Sequence, residues 1–176
     1  MAYYYSPFRK DYDKKKADGA CNFCDDEMMT NQGFRYKDGV LVENETYRWV
    51  VNIFPKFEGH TLIVPKRHLV DMKEESEEEI KDRNKLIILA SEALKKLYPG
   101  AGIEIFMQIG EGSEASIKHL HWHVVPALPS DKLRSFEKLG HFYTTEKDKE
   151  KIVIFPIEIE KVGKMLQEGV SEVLGN

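Results

Sequence analysis

Residues 119 to 126 read His-Leu-His-Trp-His-Val-Val-Pro. Imidazoles alternate there with apolar residues, the two-residue period of a half-buried β-strand. On such a strand His119, His121 and His123 project from one face, and Leu120, Trp122 and Val124 from the other. Near pH 7 neutral histidine serves as nucleophile, proton carrier and metal ligand, so a face built from three of them is suited to chemistry. A polar face turned to water is the plainest use, and an odd one for three imidazoles in succession. From the strand alone two chemical uses stay open. The rings could hold a metal, or one could attack phosphorus while its neighbours donate hydrogen bonds to phosphate oxygens.

A second cluster lies upstream. His60 and His68 bring five of the six histidines into two short segments. Cys21 and Cys24 are the only cysteines, three apart, and lack the βαβ setting of a redox pair. They are either two unrelated thiols or half of a closed zinc site, which wants four nitrogen or sulfur ligands. His68 and His119 are available to complete it.

The elements that must position these groups are mostly strands. Gly39 to Glu43 and Tyr47 to Phe54 read as strands around the polar turn Asn44-Glu45-Thr46, and Gly59 to Pro65 as a third. Ser76-Glu77-Glu78-Glu79 has the form of a capping box, and Ile80, Ile87, Ala90, Leu94 and Leu97 mark one face of the helix it opens. Pro99-Gly100 ends that helix. Ile103 to Ile109 returns to strand, a polar loop covers Gly110 to Lys118, and the histidine strand follows. Ser130 to Glu150 reads as a charged, irregular connection. Lys151 to Glu158 reads as a further strand in which Pro156 implies an edge or a bulge, and Glu160 to Leu174 as a C-terminal helix. Adjoining strands predict an α+β domain with a mainly antiparallel sheet.

Composition narrows the partners. The chain has 176 residues, 41% hydrophobic and 32% charged, enough for one domain with a real core. A formal charge of −4 argues against broad binding to nucleic acid or anionic lipid. No apolar run approaches a membrane span, and the first ten residues lack the apolar core of a secretory leader. With so few cysteines a reducing, cytoplasmic setting is expected. Glu74, Glu75, Glu77, Glu78 and Glu79 form an acidic run of the kind favoured at a helix start and normally solvated. Trp122 is expected in the core, and His141 at the surface.

The segment from Asn52 through His60 to His68, taken with Ser116-Ile-Lys-His119-Leu-His121-Trp-His123-Val-Val-Pro126, closely resembles the histidine triad (HIT) superfamily. The shared motif is His-φ-His-φ-His-φ-φ, with φ apolar. Tyr5-Ser-Pro-Phe-Arg9 and Cys21-Asn-Phe-Cys24 look like the opening of many bacterial members. The branch of diadenosine polyphosphate hydrolases and phosphorylases is the most similar.

The resemblance implies a single HIT-like domain, with residues 1–20 as an N-terminal arm, 21–126 as the motif-bearing core and 127–176 as a divergent C-terminal segment. It implies a roughly five-stranded sheet, one long helix and a C-terminal helix, in a homodimer whose sheets join. His121 corresponds to the nucleophile that attacks the α-phosphorus of a nucleotide, with the carbonyl of residue 119 holding its other N–H. His123 and His60 match positions that contact phosphate oxygens, and Ser116 matches a hydroxyl near the leaving group. Asn52 and Gln108 fall where relatives hold the nucleotide. Some HIT proteins, and related sugar-phosphate nucleotidylyltransferases, pair Cys-x-x-Cys with histidines at the positions of His68 and His119. Under that assignment Cys21, Cys24, His68 and His119 hold a structural zinc.

The expected function is hydrolysis or transfer of a nucleotide, through a covalent nucleotidyl-histidine, with no organic cofactor. A nucleoside phosphoramidate hydrolase, or a zinc-stabilised nucleotide-binding module with vestigial activity, are the alternatives. The pattern also departs from its relatives. Ala127 and Leu128 follow Pro126 where many bacterial members have Arg-Trp, and Glu114-Ala115 stands where others have Gly-Gln. Those differences bear on leaving-group and second-nucleotide preference.

Overall fold

The computed structural model describes residues 4–5, 21–24, 39–113, 115–131, 152–153 and 156–175. Most of the expected arm, most of the charged connection and His141 lie outside the described residues. In chain order the elements are β1 (Tyr4–Tyr5), β2 (Val40–Glu43), β3 (Tyr47–Val51), β4 (Thr61–Pro65), α1 (Glu77–Leu97), β5 (Gly102–Met107), β6 (Trp122–Ala127), β7 (Ile152–Val153) and α2 (Pro156–Leu174). Short 3₁₀ turns cover Met72–Glu74 and Glu111–Ser113.

The main sheet has five strands in the order β2-β3-β4-β6-β5, each antiparallel to its neighbours. Register sorts its side chains into two faces. Trp49, Ile63, Trp122 and Met107 lie across from one another on one face. Val50, Leu62, His123 and Phe106 line up on the other. The first face carries the main core, where Tyr47, Trp49, Ile63, Leu120, Trp122 and Val124 pack with Leu86, Ala90, Ala93 and Leu94 of α1. The second holds a smaller cluster of Phe23, Val50, Leu62 and Val64. Trp122 is thus in the core, as its place in the alternation predicts.

Helix α1 starts at a capping box. The Ser76 hydroxyl accepts from the Glu79 N–H, and the Glu79 carboxylate accepts from the Ser76 N–H. Its buried stripe runs through Glu79, Asp82, Leu86, Ala90, Ala93 and Leu94. Ile80 faces outward with 37% exposure, so the stripe begins one residue earlier than the apolar pattern implies. The polar groups at its start are paired: Asp82 takes the Thr46 hydroxyl at 3.1 Å, and Glu79 takes Arg67 Nε at 2.6 Å.

Several boundaries differ from the sequence pattern, and for two of them the reason is clear. Of the strand expected over 151–158, the described residues hold Ile152–Val153, paired in parallel with Tyr4–Tyr5. Pro156 is the first residue of α2, where a missing N–H costs nothing because that position has no intrahelical acceptor. The histidine strand begins at Trp122 and not at His119. Pairing with β4 stops at Ile63 opposite Trp122, and the Leu120 N–H goes to the Leu69 carbonyl at 2.6 Å. The chain therefore bends at His119 and frees that ring to turn away from the sheet.

One glycine is needed for site geometry. Gly59 has φ of 70°, and a Cβ there would sit 2.8 Å from both Pro126 Cγ and Tyr98 Cε2. Only glycine combines that turn with that closeness, and the next residue is His60.

Candidate active site

His121 lies immediately before β6, His123 is its second residue, and His60 lies immediately before β4. Antiparallel pairing of β4 with β6 brings them together, and all three are buried. Fixed backbone groups then decide where each proton sits. The His121 Nδ1 lies 2.7 Å from the His119 carbonyl, which can only accept, so Nδ1 carries the hydrogen and Nε2 keeps a lone pair. The Lys56 N–H donates to His60 Nδ1 at 3.2 Å, leaving the His60 proton on Nε2. His60 Nε2 is 2.8 Å from His123 Nδ1 and donates to it. The His123 proton consequently sits on its Nε2.

Burial favours the neutral ring at His60, His119 and His121. Desolvation, helped by the charges of His121 and Lys56, pushes His60 down to about 3. Burial lowers His121 as well, against the opposing pull of its bond to the His119 carbonyl. Burial outweighs the bond to Pro65 at His119 and takes it to about 4, with His68 and His121 adding to the shift. A neutral imidazole with a fixed tautomer is a competent nucleophile on one nitrogen and a competent donor on another.

Two phenylalanines that sequence reasoning passed over touch these rings. Phe106 stacks on His123 with centroids 4.7 Å apart and planes 13° from parallel. Phe23 meets His119 and His121 edge-on at 5.5 and 5.3 Å. The signal for Phe106 is its register opposite His123, which is available only once strand pairing is known. Phe23 lies inside the Cys-x-x-Cys turn, closed by the Cys24 N–H to the Cys21 carbonyl.

Among the described residues, Cys21, Cys24, His68 and His119 bring their donor atoms within 4.8 Å of one another. Cys21 Sγ is 3.2 Å from His119 Nδ1, Cys24 Sγ is 3.2 Å from His68 Nδ1, and Cys24 Sγ is 3.4 Å from His119 Nδ1. Tetrahedral zinc with ordinary Zn–S and Zn–N bonds separates S from N by roughly 3.6 Å, so this donor set fits the ion with little movement. The far nitrogen of His119 donates to the Pro65 carbonyl at 3.0 Å, which turns Nδ1 toward the thiols as an outer-shell partner does.

Other expected site residues fall nearby with engaged side chains. Asn52 accepts from the Phe54 N–H at 2.9 Å, and its Nδ2 lies across the His60 ring edge, 3.4 Å from Nδ1 and 3.2 Å from Nε2. Gln108 donates to the Ser113 carbonyl at 2.5 Å and so ties β5 to the following loop. Ser116 is exposed on that loop, three residues before His119. The acidic run divides. Glu75 is not solvated: its side chain is fully buried, taking the Tyr47 hydroxyl at 2.7 Å and Arg83 Nε at 2.9 Å.

Comparison with known proteins bears on the family and the fold. The family model described as HIT domain matches residues 34–129, more than half of the chain. An uncharacterized HIT-like protein of Mycoplasma genitalium is 29% identical over 119 residues, 68% of this chain and 81% of that protein. The bis(5'-adenosyl)-triphosphatase of Dictyostelium discoideum is 29% identical over 102 residues, 57% of this chain and 66% of its own. The crystal structure of a zinc-bound histidine triad family protein from Mycobacterium smegmatis superposes with a TM-score of 0.63 at 22% identity, covering 89% of this chain and 97% of that one. The five-stranded antiparallel sheet of this chain matches the fold of that structure, and the family model covering residues 34–129 places it: the chain belongs to the HIT domain family.

Proposed function

We propose that the protein is a nucleotide hydrolase or transferase acting at the α-phosphate of a nucleoside polyphosphate. The observation that carries this reading is the 2.7 Å bond from His121 Nδ1 to the His119 carbonyl, which leaves Nε2 with its lone pair. His121 Nε2 attacks the α-phosphorus, an N–P bond forms, and the bond to the leaving phosphate oxygen breaks. His123 donates its Nε2–H to a phosphate oxygen, steadying charge that builds on the transferring group. His60 holds His123 in that tautomer, and Ser116 serves the leaving-group side. Water or inorganic phosphate then adds to phosphorus, the N–P bond breaks, and His121 is regenerated. Asn52 and Gln108 help to hold the nucleotide.

A diadenosine polyphosphate is the substrate we favour, a choice supported by the likeness to the Dictyostelium triphosphatase. Zinc on Cys21, Cys24, His68 and His119 supplies a structural cross-link when bound and no step of the reaction. A reducing, cytoplasmic setting suits Cys21 and Cys24 as sulfur ligands of that site. A homodimer is supported by Ile88 on α1 and Ile105 on edge strand β5, exposed by 59% and 44%. Sedimentation at one-chain mass would count against it.

The decisive experiment incubates diadenosine tetraphosphate with the protein, with and without inorganic phosphate, and separates the products. AMP plus ATP regardless of phosphate identifies a hydrolase; ADP plus ATP only with phosphate identifies a phosphorylase. Acid quenching should trap nucleotide on wild-type protein and none on His121→Ala. A folded His121→Ala variant with unchanged turnover would overturn the covalent route.

A further inference from the structure

His123 is constrained from three sides, and each constraint limits a different freedom. The His60 hydrogen bond at 2.8 Å fixes one nitrogen within the ring plane. His121 and His60 meet the ring at 66° and 51°, so neither lies flat on it. A histidine χ2 is broad and roughly two-fold, and a hydrogen bond in the ring plane resists a flip but still lets the ring tilt about it. Phe106 constrains the ring from its flat side. Strand pairing sets it directly opposite His123, and its ring lies nearly parallel at 4.7 Å. That spacing is an offset stack, a preferred aromatic arrangement.

We propose that Phe106 is a positioning residue for nucleotidyl transfer: its flat face confines the χ2 rotation of His123 and keeps the Nε2–H of that ring aimed at the transferring phosphate. A flipped His123 would present a C–H where the phosphate needs a donor, and would break the bond from His60. Phe106 itself touches no reacting atom. The proposal rests on the catalytic reading given above, yet the ring orientation exists without substrate and can be measured apart from it. Because Phe106 is only partly buried on an edge strand, a leucine there keeps apolar bulk and removes only the planar face.

The test compares wild type, Phe106→Leu and Phe106→Tyr. Long-range proton–nitrogen correlation reads the two His123 ring nitrogens, and steady-state kinetics with diadenosine tetraphosphate reads kcat and KM separately. In Phe106→Leu the distinct His123 nitrogen signals should broaden or average, and kcat should fall ~10-fold, the loss expected for one mispositioned contact, with KM little changed. Phe106→Tyr should restore both. A general weakening of the fold would lower melting temperature and leave no such split between kcat and KM. Should Phe106→Leu fail to fold, Phe106→Met carries the same expectation. His123 signals and kcat unchanged in the leucine variant, or a tyrosine variant as slow as the leucine one, would overturn the proposal. Absence of wild-type turnover overturns the catalytic reading instead, whereas unchanged ring signals overturn the positioning role with or without turnover.

Discussion

The carbonyl of His119 lies 2.7 Å from Nδ1 of His121, while the His119 ring places its own Nδ1 3.2 Å from Cys21 Sγ and 3.4 Å from Cys24 Sγ. One residue thereby gives its side chain to the four-donor cluster and its backbone to the tautomer of His121. Nothing else bonds the His121 Nδ1–H among the described residues. The chain bends at His119, beyond the last rung of sheet pairing, so the ladder itself does not hold that carbonyl in place.

Metal removal is therefore predicted to reach the chemistry through this carbonyl. We expect close to one zinc per chain in purified protein, and a loss of turnover of about 10- to 100-fold on chelation, the range typical when the support of a site is removed. Added zinc should restore it, and Cys24→Ser should mimic it. Elemental analysis, calorimetry and turnover on the same samples check this. Chelated, metal-free protein with full activity and unchanged melting would refute the link.

A buried ion pair backs the same strand from the opposite face. Glu75 accepts from Tyr47 and Arg83 on one oxygen, and the other is buried without a hydrogen-bond partner. The Arg83 guanidinium also sits 4.6 Å over the Trp122 ring, between His121 and His123 in sequence. Removing one member leaves the other charge buried and unpaired, which costs about 3–5 kcal/mol. Arg83→Met should accordingly lower stability by that order and change Trp fluorescence. The double change Glu75→Gln with Arg83→Met should recover part of the loss, because it leaves no orphan charge. Urea unfolding of the three proteins measures it; a double variant no better than Arg83→Met alone would contradict the argument.

These partners show what a sequence does and does not make legible. The alternation Leu120, Trp122, Val124 identifies the core side of β6, because period two is a local property of the strand. The capping box at Ser76 is equally local and forms as its spacing requires. Phe106 opposite His123 depends on long-range register, so no local pattern reveals it. Glu75 looks like one more solvated acid in a charged run; its burial depends on Arg83, eight residues on, and on Tyr47 of β3. Pro156 reads as a strand breaker or as a helix opener on identical local grounds, and the helix prevails because α2 can pack Leu166 and Val170 into the main core. The four metal-binding candidates were recognisable only by family likeness and ligand count, since 98 residues separate Cys21 from His119.

His60 sets how stability responds to acid. Burial holds it at about 3, against an ordinary 6.5 in the unfolded chain, so between those values the unfolded state binds more protons than the native one. Stability contributed by neutral His60 is fully present above pH ~6.5 and is lost as pH falls toward 3. From pH 6.5 to 5 the loss attributable to this ring is about 2 kcal/mol. Neighbouring charges point the same way, because protonated His121 and Lys56 both disfavour a cation at His60. His60→Gln keeps a polar group of similar reach but cannot titrate. Its unfolding free energy should therefore fall less steeply between pH 7 and pH 5 than that of wild type, by that same amount, even if the variant is weaker at both. Urea titrations at the two pH values give the comparison, and parallel declines in the two proteins would mean that His60 is not the group holding off its proton.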